Sequence, residues 1–235
     1  MQNNSFLNWL ARWEADLPSL NLETAVLDPA RVALVSEDLL KGFCDQGALS
    51  SPRAASILPT VAHLFQRAHD LGVGHFLLFQ DTHDADAVEF SAFPPHCVRG
   101  TVESETVDAL NDLAFSEQFV VFNKNSISSN VGVEFDSWLD ARPEIDTFIV
   151  VGVCTDICIF HAAMHLRTRA NVLGQRDTRI RNTRVIVPTD CVQTYDLPVE
   201  TALELGALPH DGELLHRIFL YQMALNGVEV VSSLT

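Results

Sequence analysis

The 235-residue chain is poor in positive charge: 15 lysines and arginines stand against 31 aspartates and glutamates, a formal net charge of −16. Binding duplex nucleic acid takes a basic face that displaces counterions, so no nucleic-acid partner is expected. The same deficit opposes adsorption to anionic membranes. Long apolar runs are also missing. The longest, such as Thr147 to Val153 and Arg184 to Pro188, fall far short of the roughly 20 residues that cross a bilayer, so no membrane association is expected. Met1 to Leu20 carries Glu14 and Asp16 and no basic stretch ahead of an apolar one, unlike a secretory leader, and a cytoplasmic location is expected. Cysteine is sparse and odd in number, at positions 44, 97, 154, 158 and 191; a chain this large needs no covalent staples, so reduced thiols are expected. With no internal repeat and no low-complexity tract, residues 1–235 read as a single domain.

What is present is a core and a rhythm. Hydrophobic residues make up 47% of the chain, ample for a packed interior. Short apolar runs at Val32 to Val35, His75 to Phe79, Phe119 to Phe122, Thr147 to Val151, Val185 to Val187 and Val228 to Val231 lack polar alternation, which suits buried strands of a parallel sheet covered on both faces. Between them, Ala54 to Leu71, Glu103 to Leu113, Glu134 to Ala141, Cys158 to Ala170 and Gly212 to Asn226 carry apolar residues at helical spacing. The pattern predicts a three-layer α/β/α domain around a mainly parallel six-stranded sheet. An extra helix at about residues 4–16, with the stripe Phe6, Leu7, Trp9, Leu10 and Trp13, suits docking on the body or on a second subunit, a homo-oligomer in the latter case. Six of the 15 basic residues crowd into Arg167 to Arg184, read either as cations at a helix end and a solvated loop or as a subunit contact or anion site.

Open parallel sheets place their sites beyond the carboxyl ends of the strands. Those ends deliver Glu37 and Asp38, then Asp81 and His83, then Lys124, then Cys154 to Cys158. Each alone has an ordinary explanation, since Asp caps turns and Cys is often a small buried hydrophobe; four consecutive strands pointing chemistry at one edge carry the weight. Cys158 would open a helix, where the positive end favours thiolate and free amide N–H groups can receive an oxyanion. Cys154 and Cys158 lie four apart, not three, and no second pair completes a zinc knuckle, so a disulfide or zinc role is the lesser reading. Asp38, desolvated at a buried strand end, is the better base for a thiol. Lys124, one of only two lysines, would hold Asp38 and steady negative charge; the plain alternative is a strand-end lysine reaching solvent.

A second constellation is Asp81, His83, Glu89 and His96, spaced D-x-H-x5-E-x6-H. Mixed imidazole and carboxylate donors suit one divalent Zn, Mn or Fe ion with open positions; the plain alternative is a polar loop. No organic cofactor is expected.

Together these residues resemble the nicotinamidases of the isochorismatase-like cysteine hydrolases, over roughly Val32 to Thr194. The resemblance rests on Asp38-x4-Phe43, on Asp81-x-His83 with Glu89 and Phe93-Pro94-Pro95-His96-Cys97-Val98-x-Gly100-Thr101, on Lys124, and on Gly152-Val153-Cys154-Thr155-Asp156-Ile157-Cys158. It implies the isochorismatase-like hydrolase fold and a catalytic set of Asp38, Lys124 and Cys158. It also implies a non-proline cis peptide at Val153–Cys154, which aims the backbone N–H groups of Cys154 and Cys158 into an oxyanion hole, and Phe43 and Phe93 around a flat ring. The implied reaction hydrolyses a small carboxamide, nicotinamide first, through a thioester with a bound metal assisting, in the salvage of pyridine nucleotides. The alternatives are another small carboxamide, ureido or carbamoyl substrate, and a catalytically silent ligand-binding member.

Overall fold

A computed structural model describes residues 3–235. The apolar runs become β1 (Val32–Glu37), β2 (His75–Asp81), β3 (Val120–Lys124), β4 (Thr147–Val153), β5 (Arg184–Pro188) and β7 (Glu229–Val231), joined by a two-residue β6 (Val192–Gln193). They form one parallel sheet in the order β3-β2-β1-β4-β5-β7, with β6 alongside β4. The sheet thus has seven strands where six were expected, because two residues are too few to leave a periodic trace in the sequence.

Alternation along each strand divides the core. Leu34 and Ile149 pack with Val61, Leu64 and Phe65 on one face, whereas Ala33, Val35 and Val150 pack with Phe135, Ile159, Ala162 and Leu220 on the other. Helices thereby cover both faces, giving the three layers. The expectation that every strand is buried fails at β3, where Val120 and Val121 are 39% and 46% exposed. It is an edge strand, with β2 as its neighbour on one side.

Two helices also differ from expectation. The segment from Ala54 to Leu71 is split into Pro52–Ser56 and Leu58–Asp70, because Pro59 has no N–H to continue the first helix and sits instead in the first turn of the second. The stretch Glu103 to Leu113 yields only a 3-10 turn, Val102–Ser104, and a short helix, Asp108–Asn111. Between them the backbone is recruited by Leu39 and Lys41: Lys41 donates to the Glu105 carbonyl and Val107 to that of Leu39. Tertiary pairing overrides the helical spacing there.

The N-terminal helix Asn3–Ala15 docks on Gly212–Leu225, with Phe6, Trp9 and Trp13 set around Tyr221 at about 5.7 Å and Glu14 bonded to Arg217 at 2.6 Å. In the arginine-rich segment, Arg169 pairs with Asp140, Arg179 with Asp177 and Arg184 with Glu229, while Arg167 and Arg181 donate to the carbonyls of Thr183 and Gly174. These arginines are thus engaged within the chain. No helix among the described residues is long and apolar enough to cross a membrane.

Register sets the edge that matters. Asp81 and Lys124 are partners across β2 and β3, and Glu37 faces Gly152 across β1 and β4. Gly152 lies at φ 116°, and a Cβ there would stand 2.1 Å from the Glu37 carbonyl oxygen, so only glycine lets the two strands close at this point. Immediately after it comes the cis peptide Val153–Cys154. Gly152→Ala should therefore lower stability by roughly 2–4 kcal/mol in urea unfolding, against about 1 kcal/mol for Gly132→Ala, where φ is also positive but nothing lies within 4 Å.

Candidate active site

Burying a charge is costly unless it is paired, and Lys124 is the case to explain, since its side chain has no exposure at all. Its ammonium Nζ lies 2.8 Å from Asp38 Oδ2, 2.5 Å from Asp81 Oδ1 and 3.7 Å from Cys158 Sγ. The strand-end lysine thus points inward rather than to solvent. Asp38, where the chain leaves β1 at φ 51°, is held a second time because its Oδ1 accepts the Asp81 backbone N–H at 2.9 Å. Four strand ends therefore meet on one ammonium group.

Glu37 and Asp38 were not separable by position alone, and the structure separates them. Glu37 turns away from the cavity, accepting a 2.6 Å bond from Ser129 Oγ, while its Oε2 is buried with no hydrogen-bond partner. Burial raises its carboxyl well above the usual range against the opposing pull of Lys124, so it is carried as the neutral acid. Burial also lifts Asp38, helped by the charge of Asp81 and resisted by Lys124, to about 6. For Asp81, burial pushes upward, but the charge of Lys124 and the nearby imidazoles of His83 and His96 outweigh it and hold the group below the ordinary carboxylate range. The Cys158 thiol, raised by burial more than Lys124 lowers it, rests protonated and needs a base. Asp38, which shares the Lys124 ammonium with that thiol, has affinity for a proton near neutrality and can act as one.

Cys158 opens the helix Cys158–Leu173, whose first-turn amides have no intrahelical acceptors. All five cysteines are free, so Cys154 and Cys158 form no disulfide here.

The second constellation also assembles. Asp81, His83, Glu89 and His96 each bring one donor atom to within 4.8 Å of the others. Asp81 Oδ2 stands 3.6 Å from Nε2 of both histidines, too far for a direct bond. His83 Nδ1 is bonded to Asn125 Oδ1 at 2.8 Å and His96 Nδ1 to the Pro94 carbonyl at 2.8 Å, so both Nε2 atoms are turned toward the cluster. His83 Nε2 is buried with no partner. An orphaned imidazole nitrogen, a second one fixed by an outer hydrogen bond and two carboxylates make a donor set that fits a divalent metal.

A cavity opens over both constellations. Asp38, Cys154 and Cys158 line it at one end, Asp81, Glu89 and His96 border it, and Phe43, Phe93, Leu49, Ile127 and Tyr195 complete its walls. Phe43 and Phe93 both line it. Leu49 and Tyr195 were not foreseen, whereas Asn125, Ile127 and Ser129 lie in the polar stretch after Lys124, which was expected to border the pocket. Asn125 and Tyr195 did carry a signal: each follows a strand closely, but β6, which precedes Tyr195, was invisible to periodicity.

The model of the family described as "Isochorismatase domain" matches residues 32–233. Nicotinamidase 1 of Arabidopsis thaliana is 31% identical over 221 residues, covering 87% of this chain and 86% of that protein. Among solved structures, a cysteine hydrolase from Pseudomonas syringae superposes with a TM-score of 0.68 at 24% identity, over 88% of this chain and 90% of the other. The pyrazinamidase of Pyrococcus horikoshii in complex with zinc gives 0.62 at 21% identity, over 86% and 98%.

Two outcomes follow from the charge arrangement. Lys124→Met, which strands two buried carboxylates, should cost about 3–5 kcal/mol in urea unfolding, and the double variant with Asp38→Asn should recover part of that loss. Because folded Glu37 holds a proton that the unfolded chain releases above its ordinary value of 4.5, stability falls as pH rises from there, by at most about 1.4 kcal/mol per unit. Glu37→Gln keeps the shape and should flatten the dependence of unfolding free energy on pH between about 5 and 7.

Proposed function

The chain belongs to the isochorismatase family, and from that premise we propose that it is a metal-assisted cysteine amidohydrolase converting nicotinamide to nicotinic acid and ammonia. The observation that carries this reading is the single buried ammonium of Lys124, shared by Asp38 and Asp81 and 3.7 Å from the thiol of Cys158, at the end of a cavity that also holds a two-histidine, two-carboxylate donor set. The similarity to a nicotinamidase over most of both chains supports the substrate. The ends of one sheet and the loop that follows β2 supply the set, which supports reading residues 1–235 as one domain.

In this mechanism Asp38 takes the proton of Cys158 and the sulfur attacks the carboxamide carbon. An S–C bond forms as the carbonyl electron pair moves to oxygen, where the backbone N–H groups of Cys154 and Cys158 receive it. Lys124 keeps Asp38 in place and steadies the negative charge. As the pair returns, the C–N bond breaks and Asp38 gives its proton to the nitrogen, which leaves as ammonia. Asp38 then draws a proton from water, whose oxygen adds to the thioester; the S–C bond breaks, the carboxylic acid departs, and the proton returns to sulfur. Phe43 and Phe93 flank the ring. A zinc, manganese or iron ion on Asp81, His83, Glu89 and His96 would supply a Lewis-acidic seat for the ring nitrogen.

Purified protein should release ammonia from nicotinamide, lose that activity on chelation, regain it with zinc, manganese or iron, and lose it by about 10³-fold or more in Cys158→Ala. Absence of release with any of the three metals, with Cys158 shown to be reduced, would overturn the substrate and direct attention to ureido and carbamoyl compounds.

A further inference from the structure

Tyr195 belongs to neither constellation, yet it forms part of the cavity wall beside Cys154 and Cys158. Its ring lies against that of His210, with centroids 3.8 Å apart and an interplanar angle of 18°. His210 is buried, and both of its ring nitrogens are engaged: Nδ1 with the Tyr195 carbonyl at 3.0 Å and Nε2 with Asp156 Oδ2 at 2.8 Å. Both ring nitrogens are thus held, one by the backbone of the cavity wall and one by a carboxylate of the turn. Asp156 stands two residues before Cys158, inside the turn between β4 and the following helix. One imidazole therefore touches the wall of the cavity and the turn that presents the thiol.

The backbone around this contact leaves it little freedom. Leu197 and His210 exchange two main-chain hydrogen bonds, at 2.8 and 2.9 Å, which close the 197–210 excursion back onto the body. The Tyr195 carbonyl comes so near Gly212 that a Cβ there would meet it at 2.3 Å. A second histidine, His216, bonds Thr155 Oγ1 through Nδ1 at 2.8 Å, so adjacent residues of the turn are tied to adjoining parts of the same C-terminal region.

We infer that Tyr195 is a specificity-determining wall residue that limits bulk beside the reacting carboxamide carbon, and that His210 is a positioning residue that registers this wall against Cys158 through Asp156. Phe43 and Phe93 border the ring of the substrate, whereas Tyr195, next to Cys154, bounds the end where the bond is broken. A ring carrying a substituent adjacent to the carboxamide meets the Tyr195 side chain. Loss of His210 lets wall and turn shift relative to one another.

This inference rests on the reading of the site as an aromatic amidase, so the experiment separates the two. For wild type, Tyr195→Ala, Tyr195→Phe and His210→Gln, kcat and KM are measured with nicotinamide and with nicotinamide methylated beside the carboxamide. Tyr195→Ala should shrink the preference for the unsubstituted amide about tenfold, a change of roughly 1.4 kcal/mol, and Tyr195→Phe should restore most of it. His210→Gln should lower kcat by about tenfold or more as well as weaken the preference, a combination that mere loss of folded protein does not produce. Alkylation of Cys158 by iodoacetamide and by its N-phenyl derivative gives the same comparison without turnover, and the ratio of the two rates should fall in Tyr195→Ala. If wild type hydrolyses neither amide, the aromatic-amidase reading fails, and the alkylation ratio alone decides the role of Tyr195. An unchanged ratio in Tyr195→Ala, with unaltered thermal unfolding, overturns the proposal for Tyr195; an unchanged kcat and an unchanged alkylation rate in His210→Gln overturn it for His210.

Discussion

One ammonium group, sealed from solvent among acids, organises the carboxyl edge of this sheet. Lys124 has no water to solvate it, so Asp38 and Asp81 must both approach it, and each approach fixes a further element. Asp38 is thereby set where β1 ends, beside the thiol. Asp81 is set where β2 ends, its second oxygen turned toward two histidines. The two constellations are thus coupled through a carboxylate that serves both, Oδ1 toward the ammonium and Oδ2 toward the metal donors. Burial and this cation, pulling in opposite directions, set three neighbouring acids apart. Asp81, closest to it, stays ionised; Asp38 comes into balance near neutrality; and Glu37, turned to Ser129, keeps its proton.

Much of this was legible from the chain. Continuous β-branched runs gave away the parallel sheet because a strand buried on both faces has no polar side, and the strand-end rule then pointed to Glu37 and Asp38, Asp81 and His83, Lys124, and Cys154 to Cys158, leaving the choice within each group to other arguments. The spacing of Asp81, His83, Glu89 and His96 named the second cluster, which the fold gathers within a few ångströms. What stayed hidden has physical reasons. β6 is two residues long, so the wall that follows it could not be placed. Asn125 acts by orienting His83, and Ser129 by capping Glu37; both are polar residues in a polar stretch, distinguished only by what they meet across the fold. β3 reads as buried by composition and is an exposed edge, because composition does not reveal how many neighbours a strand has.

The arrangement also divides labour between rigid and adaptable parts. The nucleophile turn is anchored from several sides: Gly152 against Glu37, the Thr155 N–H on Gln193, and histidines on Thr155 and Asp156. The walls of the cavity come largely from segments outside the sheet: the short helix that follows Asp38, the loop after β2, the polar stretch after Lys124 and the chain beyond β6. Chemistry on strand ends with selectivity on the connections between them lets one fold serve several related amides.

The central claim is that the charge cluster around Lys124 makes Cys158 a nucleophile that carries the acyl group. Acid-quenched protein taken during nicotinamide turnover and analysed by peptide mass spectrometry tests it most directly. The account predicts a nicotinoyl adduct confined to the peptide containing Cys158, present in the steady state and gone once substrate is exhausted. Sustained ammonia release with no such adduct, together with undiminished turnover after Cys158 is replaced, would contradict it.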